Sequence, residues 1–275
     1  MSKKYENIVC LGSSFAAGPG IPPIIDGNAS RSSENYAHQV AKKLNARLTD
    51  LSVSGATLEN IISEPQTVNP TKTFPPQIEG VPIDADLVFV TAGGNDMSYI
   101  GNMIKQAIQS TWIGWFLFLI LSLFPIPKPV EISQEQLVQR LGNVLDAIHQ
   151  RAPKARVLLV EYLALLGEED DENCRSASKE IGFTPEQEGE HRQKAERLVD
   201  AYAQAAKSRS IWCQVVPIHK ESQKEHPIGS AQPWVTGFRL YDVAVLRKVP
   251  FHPTLAGMTA TAERILQYLD STPSV

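Results

Sequence analysis

"IVCLGSSFAAGPG", residues 8–20, is an apolar run that stops at Leu11 and opens into glycines, two serines and a proline. An unbroken apolar run suits a strand covered on both faces, and the glycines end it in a tight loop. Glycine has no Cβ, so such a loop brings backbone N–H groups close to whatever lies beside it. A serine in that setting is a candidate nucleophile. The stretch offers two, Ser13 and Ser14.

The pattern repeats along the chain. Strand-like segments cover 6–12, 47–53, 86–92, 156–162 and 211–218, and helical patterns fill roughly 33–45, 133–151, 186–209 and 255–270. In the last of these, Leu255, Met258, Ala262, Ile265, Leu266 and Leu269 share one helical face. Strands alternating with helices imply βαβ units, right-handed crossovers and an α/β fold with a parallel sheet between helical layers. There is no internal repeat and no linker long enough to divide the 275 residues, so one domain over 1–275 is expected, with two insertions. The segment "GEEDDENCRSASKEIGFTPEQEGEHR" (167–192) is polar and acidic and reads as a solvated insertion. An apolar insertion near 104–128 contains "TWIGWFLFLILSLFPIP" (111–127), far more apolar than a surface loop should be.

Hydrophobic residues make up 43% of the chain and charged residues 20%, enough to bury a sizeable core. A net charge of -4 and a pI near 5.9, with basic residues scattered among acidic ones, leave no electrostatic footprint for nucleic acid. The start, "MSKKYENIVC", passes from charge into the first apolar run without the apolar core and cleavage site of a secretory signal. Three cysteines cannot all pair with one another, and Cys10 and Cys213 sit in strand-like runs as small buried hydrophobes. A reducing, cytoplasmic location is therefore expected, in which the Asn28-Ala29-Ser30 sequon has no meaning. No His/Cys cluster has metal-ligand spacing, and no phosphate loop is present.

In an open parallel sheet, ligands bind beyond the carboxyl ends of the strands, where the strand order reverses. Gly12-Ser13-Ser14-Phe15 follow the first strand, Ser54-Gly55-Ala56 the second and Gly93-Gly94-Asn95-Asp96 the third. A long loop after the fifth reaches Phe251-His252-Pro253 just before the last helix. A serine hydroxyl becomes a nucleophile when an imidazole accepts its proton. Attack on an ester carbonyl then creates an oxyanion that needs preorganised donors, which a glycine N–H and an asparagine amide can supply.

These blocks resemble those of the SGNH (GDSL-type) serine hydrolases, a family of esterases and lipases. "GSSF" looks like the family's first block, "LSVSGAT" its glycine block, "VTAGGND" its Gly-x-Asn-Asp block and "FHPT" the end of its histidine block. They come in the family's order, from residue 8 to about 260. The resemblance implies a three-layer, flavodoxin-like α/β/α sandwich with about five parallel strands, no metal and no organic cofactor. It makes Ser14 the nucleophile and His252 the base, and gives the oxyanion hole to the N–H groups of Ser14 and Gly55 and the amide of Asn95. The Gly-x-Ser-x-Gly elbow of the α/β-hydrolases is absent around Ser14.

Two positions depart from the family pattern. Ser13 replaces the usual aspartate before the nucleophile, and Val249 stands where the acid normally precedes the histidine by three residues. A valine side chain cannot orient an imidazole. The Val249 main-chain carbonyl is the favoured substitute, Asp242 in the same loop is the alternative, and an impaired site is the third outcome. His219, at the end of the fifth strand, is the rival base. Asp96 is expected to cap the helix that follows it. His38, His149, His191 and His226 read as ordinary helix or loop residues.

From Trp112 to Ile126 runs an uncharged stretch of about 15 residues, shorter than the roughly 20 needed to span a bilayer. Three readings stay open for it: core packing, a lid or acyl-pocket wall presenting Trp112, Trp115 and Phe116 to substrate, or transient contact with a membrane interface. The expected activity is cleavage of a carboxylic ester, lipophilic in its acyl part, through an acyl-serine intermediate. The partner is a small-molecule or lipid ester. A carbohydrate acetylesterase, a thioesterase and a non-catalytic binding protein on the same fold are the alternatives.

Overall fold

The computed structural model describes residues 5–111, 132–244 and 248–272. Five parallel strands form the central sheet: β1 (Asn7–Gly12), β2 (Arg47–Asp50), β3 (Leu87–Thr91), β4 (Arg156–Val160) and β5 (Cys213–Val216). Their order is β2-β1-β3-β4-β5, so the direction of winding reverses between β1 and β3. The expected strands are all present, each within a few residues of its predicted span.

Register explains the unbroken apolar runs. Ile8, Cys10, Leu87, Phe89, Leu158 and Val160 point to one side, whereas Val9, Leu11, Val88, Val90, Val157 and Leu159 point to the other. Side chains alternate with a period of two, so a strand must be apolar at every position when helices cover both faces. The first face packs against α2 (Tyr36–Leu44) and the final helix, α10 (Leu255–Ser271), through Tyr36, Val40, Met258, Ala262 and Ile265. The second packs against α3 (Leu58–Ile62), α4 (Tyr99–Gln109), α5 (Gln134–Arg151) and α7 (Pro185–Lys207). Local signals set the helix starts: Ser133 with Gln136 and Thr184 with Gln187 form reciprocal capping boxes, and Pro185 fills the first turn of α7.

The acidic segment 167–192 departs from the expected solvated insertion. It forms α6 (Glu172–Ile181) and the first turns of α7, and it buries Cys174, Ser178, Ile181, Phe183 and His191. Its Glu188 is buried as an ion pair with Arg192, 3.0 Å away and one turn later, and the Arg192 guanidinium also donates to the Gly167 carbonyl. Of the apolar insertion, 104–109 continue α4, while Trp112, Trp115 and Phe116 lie outside the described residues. Among the described residues no helix is long and apolar enough to cross a membrane.

The sheet's carboxyl edge is fixed at the ends of β1 and β3. Gly12 has φ +141°, and a Cβ there would lie 2.2 Å from the Thr91 carbonyl oxygen. The buried Gln77 side chain accepts from the Gly12 N–H (2.8 Å) and donates to the Gly12 carbonyl (3.0 Å). Tyr202 does the same for Ala92 through its hydroxyl, at 2.9 and 2.7 Å. Gly12→Ala is expected to lower the unfolding free energy by at least about 2 kcal/mol, since it combines a disfavoured φ with a backbone clash. Urea unfolding measures this, and an unshifted midpoint would contradict it.

Candidate active site

Ser14 opens α1 (Ser14–Ala17), a single turn directly after β1. As the first helical residue its N–H needs no intrahelical acceptor, and it has no partner among the described residues. The Gly12 carbonyl also accepts from the Val53 N–H (3.1 Å), which draws the loop after β2 to the same edge. There Gly55 sits at φ +85°. Asn95 reaches that loop as well, its amide donating to the Ala56 carbonyl at 2.8 Å. An amide carries two hydrogens, so one donor of Asn95 remains without a partner among the described residues.

His252 arrives from the opposite end of the chain. Its Nε2 lies 2.9 Å from Ser14 Oγ across 238 positions of sequence. Its Nδ1 lies 2.7 Å from the carbonyl oxygen of Pro250. A carbonyl can only accept, so Nδ1 carries the ring hydrogen and Nε2 presents its lone pair to the serine hydroxyl. Ser14 and His252 are 5% and 7% exposed. Burial disfavours the imidazolium and pulls the His252 pKa down to about 4, against a smaller upward pull from the Pro250 carbonyl.

The group behind the imidazole is therefore a main-chain carbonyl, but that of Pro250 rather than Val249. The Val249 carbonyl instead accepts from the Thr236 hydroxyl at 2.7 Å. Phe251 sits at the difference: at φ +59° it turns the chain back so that the Pro250 carbonyl meets Nδ1 of His252. Thr236 braces that turn, accepting from the Phe251 N–H with its carbonyl and donating to the His252 carbonyl through its N–H. Asp242 is not at the imidazole; its carboxylate pairs with Lys248 at 3.3 Å. His219 is likewise separate, with Nδ1 on the Tyr162 carbonyl at 3.1 Å.

Asp96 also departs from expectation. Its side chain, fully buried, accepts from the Leu58 N–H (3.0 Å) and from Arg140 (3.2 Å), so it caps the preceding helix α3 and not the one that follows. Burial raises its pKa, against the pull of those two donors. Of the remaining imidazoles, His149 stacks on Trp212 and His226 on Trp234, while His191 is buried against Phe183 with Nε2 on Gln106. Gln77, Tyr162, Tyr202, Thr236 and Pro250 shape the edge yet form no motif with Ser14 in sequence. Among the described residues no group of three or more His, Cys, Asp or Glu is placed to hold a metal ion.

A doubly wound parallel sheet with a serine–imidazole pair at its carboxyl edge defines the class of the molecule. The profile of the GDSL-like lipase/acylhydrolase family matches residues 10–260, and the chain belongs to that family. Lipase 2 of Streptomyces coelicolor is 37% identical over 102 residues, 35% of this chain and 32% of that protein. A lipase of Streptomyces rimosus is 28% identical over 157 residues, covering 56% of this chain and 51% of its own length. The matches thus span about a third to a half of these relatives. Among solved structures, phospholipase A1 from Streptomyces albidoflavus NA297 superposes with a TM-score of 0.69 at 18% identity, over 96% of this chain and 99% of the other. That likeness is one of fold.

The buried imidazole has a measurable signature. With a folded-state pKa near 4 against about 6.5 in the unfolded chain, His252 supports the fold fully above pH 6.5 and loses that contribution as pH falls toward 4. His191, lowered to about 4 chiefly by burial, acts in the same window. An NMR titration of the His252 ring should give a midpoint near 4, and a midpoint of about 6 or higher would refute the buried, neutral imidazole.

Proposed function

We propose that the protein is a carboxylic ester hydrolase acting on lipophilic acyl esters through an acyl-serine intermediate. The observation that carries this reading is the 2.9 Å contact between Ser14 Oγ and His252 Nε2, with the ring's other nitrogen tied to the Pro250 carbonyl. Membership of a lipase/acylhydrolase family supports the reaction class, and the two curated relatives named lipases support the substrate class.

Ser14 Oγ attacks the ester carbonyl carbon while Nε2 takes the hydroxyl proton. The carbonyl oxygen becomes an oxyanion, met by the N–H groups of Ser14 and Gly55 and the free hydrogen of the Asn95 amide. Collapse breaks the bond to the alcohol, which leaves with the proton from Nε2. Water then attacks the acyl-serine, again giving its proton to Nε2, and the acid departs as the proton returns to Ser14 Oγ. At neutral pH the imidazole is unprotonated and ready to act as base, because its pKa lies near 4.

The same reading takes residues 1–275 as one hydrolase domain, supported by the family match over 10–260. It assigns acyl-chain contacts to Trp112, Trp115 and Phe116 and allows passing contact with a lipid interface, on the strength of the apolar run that holds them. A reducing, cytoplasmic setting belongs to it too, supported by free, buried Cys10, Cys174 and Cys213.

A fluorophosphonate probe followed by peptide mapping tests the nucleophile, with label expected on Ser14. Ser14→Ala should lower kcat/KM on p-nitrophenyl esters by at least about a thousandfold; turnover equal to the parent would end the proposal. Asp242→Asn separates a carbonyl-held from a carboxylate-held imidazole. It should leave kcat/KM within about twofold, because the half-exposed pair with Lys248 is worth little. A hundredfold loss would return Asp242 to the site.

A further inference from the structure

Tyr162 lies just past the end of β4, and its ring is buried. Its hydroxyl accepts from the Gly94 N–H at 3.4 Å and shares a hydrogen bond with Ser13 Oγ at 2.9 Å. Ser13 is the residue before Ser14, and Gly94 is the residue before Asn95. One phenol therefore touches both the loop that presents the proposed nucleophile and the loop that presents the proposed oxyanion donor. The ring itself lies against Phe15, centroids 4.4 Å apart, and Phe15 in turn faces the His252 ring at 5.7 Å. A Cβ on Gly94 would lie 3.0 Å from the Tyr162 ring, a tight contact that shows how closely the two pack. From below, the Tyr162 carbonyl accepts from His219 Nδ1, which ties the residue to the start of α8 (His219–Glu225).

We propose that Tyr162 is a positioning residue that holds Ser14 and Asn95 in mutual register through its hydrogen bonds to Ser13 and Gly94. The inference rests on the hydrolase reading and extends it to a residue that never meets substrate. Both tethered atoms lie one residue from a reacting group, so a small loop shift is passed on with little attenuation. Burial pushes the phenol pKa up to about 12, which keeps the hydroxyl neutral and able to serve both partners across the working pH range. Ser13, where the family carries an aspartate, fits this partner: a neutral hydroxyl pairs with the buried phenol without a charge to bury.

The experiment compares the parent with Tyr162→Phe, Ser13→Ala and the double variant, by steady-state kinetics on p-nitrophenyl esters and by the rate of fluorophosphonate labelling. Tyr162→Phe keeps the ring on Phe15 and removes only the hydroxyl. Its kcat should fall about tenfold to a hundredfold, as expected when reacting groups lose alignment, with KM within about twofold. Labelling of Ser14 should slow in step. Ser13→Ala cuts the same bond from the other side, and the double variant should be little worse than the poorer single one. A Tyr162→Phe enzyme with the parent's kcat, a loss confined to KM, or additive single effects would each overturn the assignment. A parent that hydrolyses no ester and takes no probe overturns the hydrolase reading and this one with it. An active, Ser14-dependent parent indifferent to Tyr162→Phe overturns this one alone.

Discussion

At the carboxyl edge of the sheet, the peptide of Gly12 is held by main chain on two sides and by an amide on a third. Its neighbour Ser13 donates to the Thr91 carbonyl, its own carbonyl accepts from Val53, and Gln77 binds it in both directions. Three loops are thereby fixed relative to one another before any reactive side chain is considered. Ser14 follows this anchored peptide by two residues and needs few contacts of its own to be placed. Fixing a reactive group through rigid backbone gives better alignment than fixing it on a free loop. The absence of a Cβ at position 12 is what permits strands β1 and β3 to close so tightly.

The group behind His252 sets the electrostatics of the pair. A carboxylate there would favour the imidazolium, but it would also be a second charge to desolvate in a nearly closed site. The Pro250 carbonyl has a dipole and no charge. It fixes the tautomer as firmly as a carboxylate, since it can only accept from Nδ1. What it does not supply is charge stabilisation, and desolvation then wins, holding the imidazole neutral down to about pH 4. Orientation and charge compensation are thus separable, and this chain retains the first.

Much of the fold could be read from the chain because burial on both faces leaves a strong mark. The three inner strands β1, β3 and β4 are buried and apolar at nearly every position, whereas the edge strands β2 and β5 are more polar. The loops after β1, β2 and β3 are the ones whose small residues stand out. Helix α6 left a weaker mark: its buried face is Cys174, Ser178 and Ile181, too polar to show against Glu172 and Lys179. The contact between Ser14 and His252 was legible because both lie in ordered motifs. The identity of the orienting carbonyl was not, because it depends on the left-handed turn at Phe251, which a phenylalanine does not advertise. Tyr162 and Gln77 were hidden for another reason. They act by where the topology puts them, and in sequence one reads as the tail of a strand and the other as a loop glutamine.

The turn at Phe251 links the acidic segment to the site. A non-glycine residue in the left-handed region costs on the order of 1–2 kcal/mol, so something must hold Phe251 there. Its ring is fully buried between Phe183, 5.9 Å away at 23°, and Phe238, 6.2 Å away at 14°. Burying a phenylalanine contributes roughly 1.5–3 kcal/mol, enough to offset the backbone term. Phe183 lies in the short connection between α6 and α7, within the segment whose charge suggested a solvated appendage. Helices α6 and α7 therefore do more than cover the sheet. Their connection supplies Phe183, one of the two rings against Phe251, so the turn that brings the Pro250 carbonyl to His252 Nδ1 is supported by packing that begins outside every recognised motif.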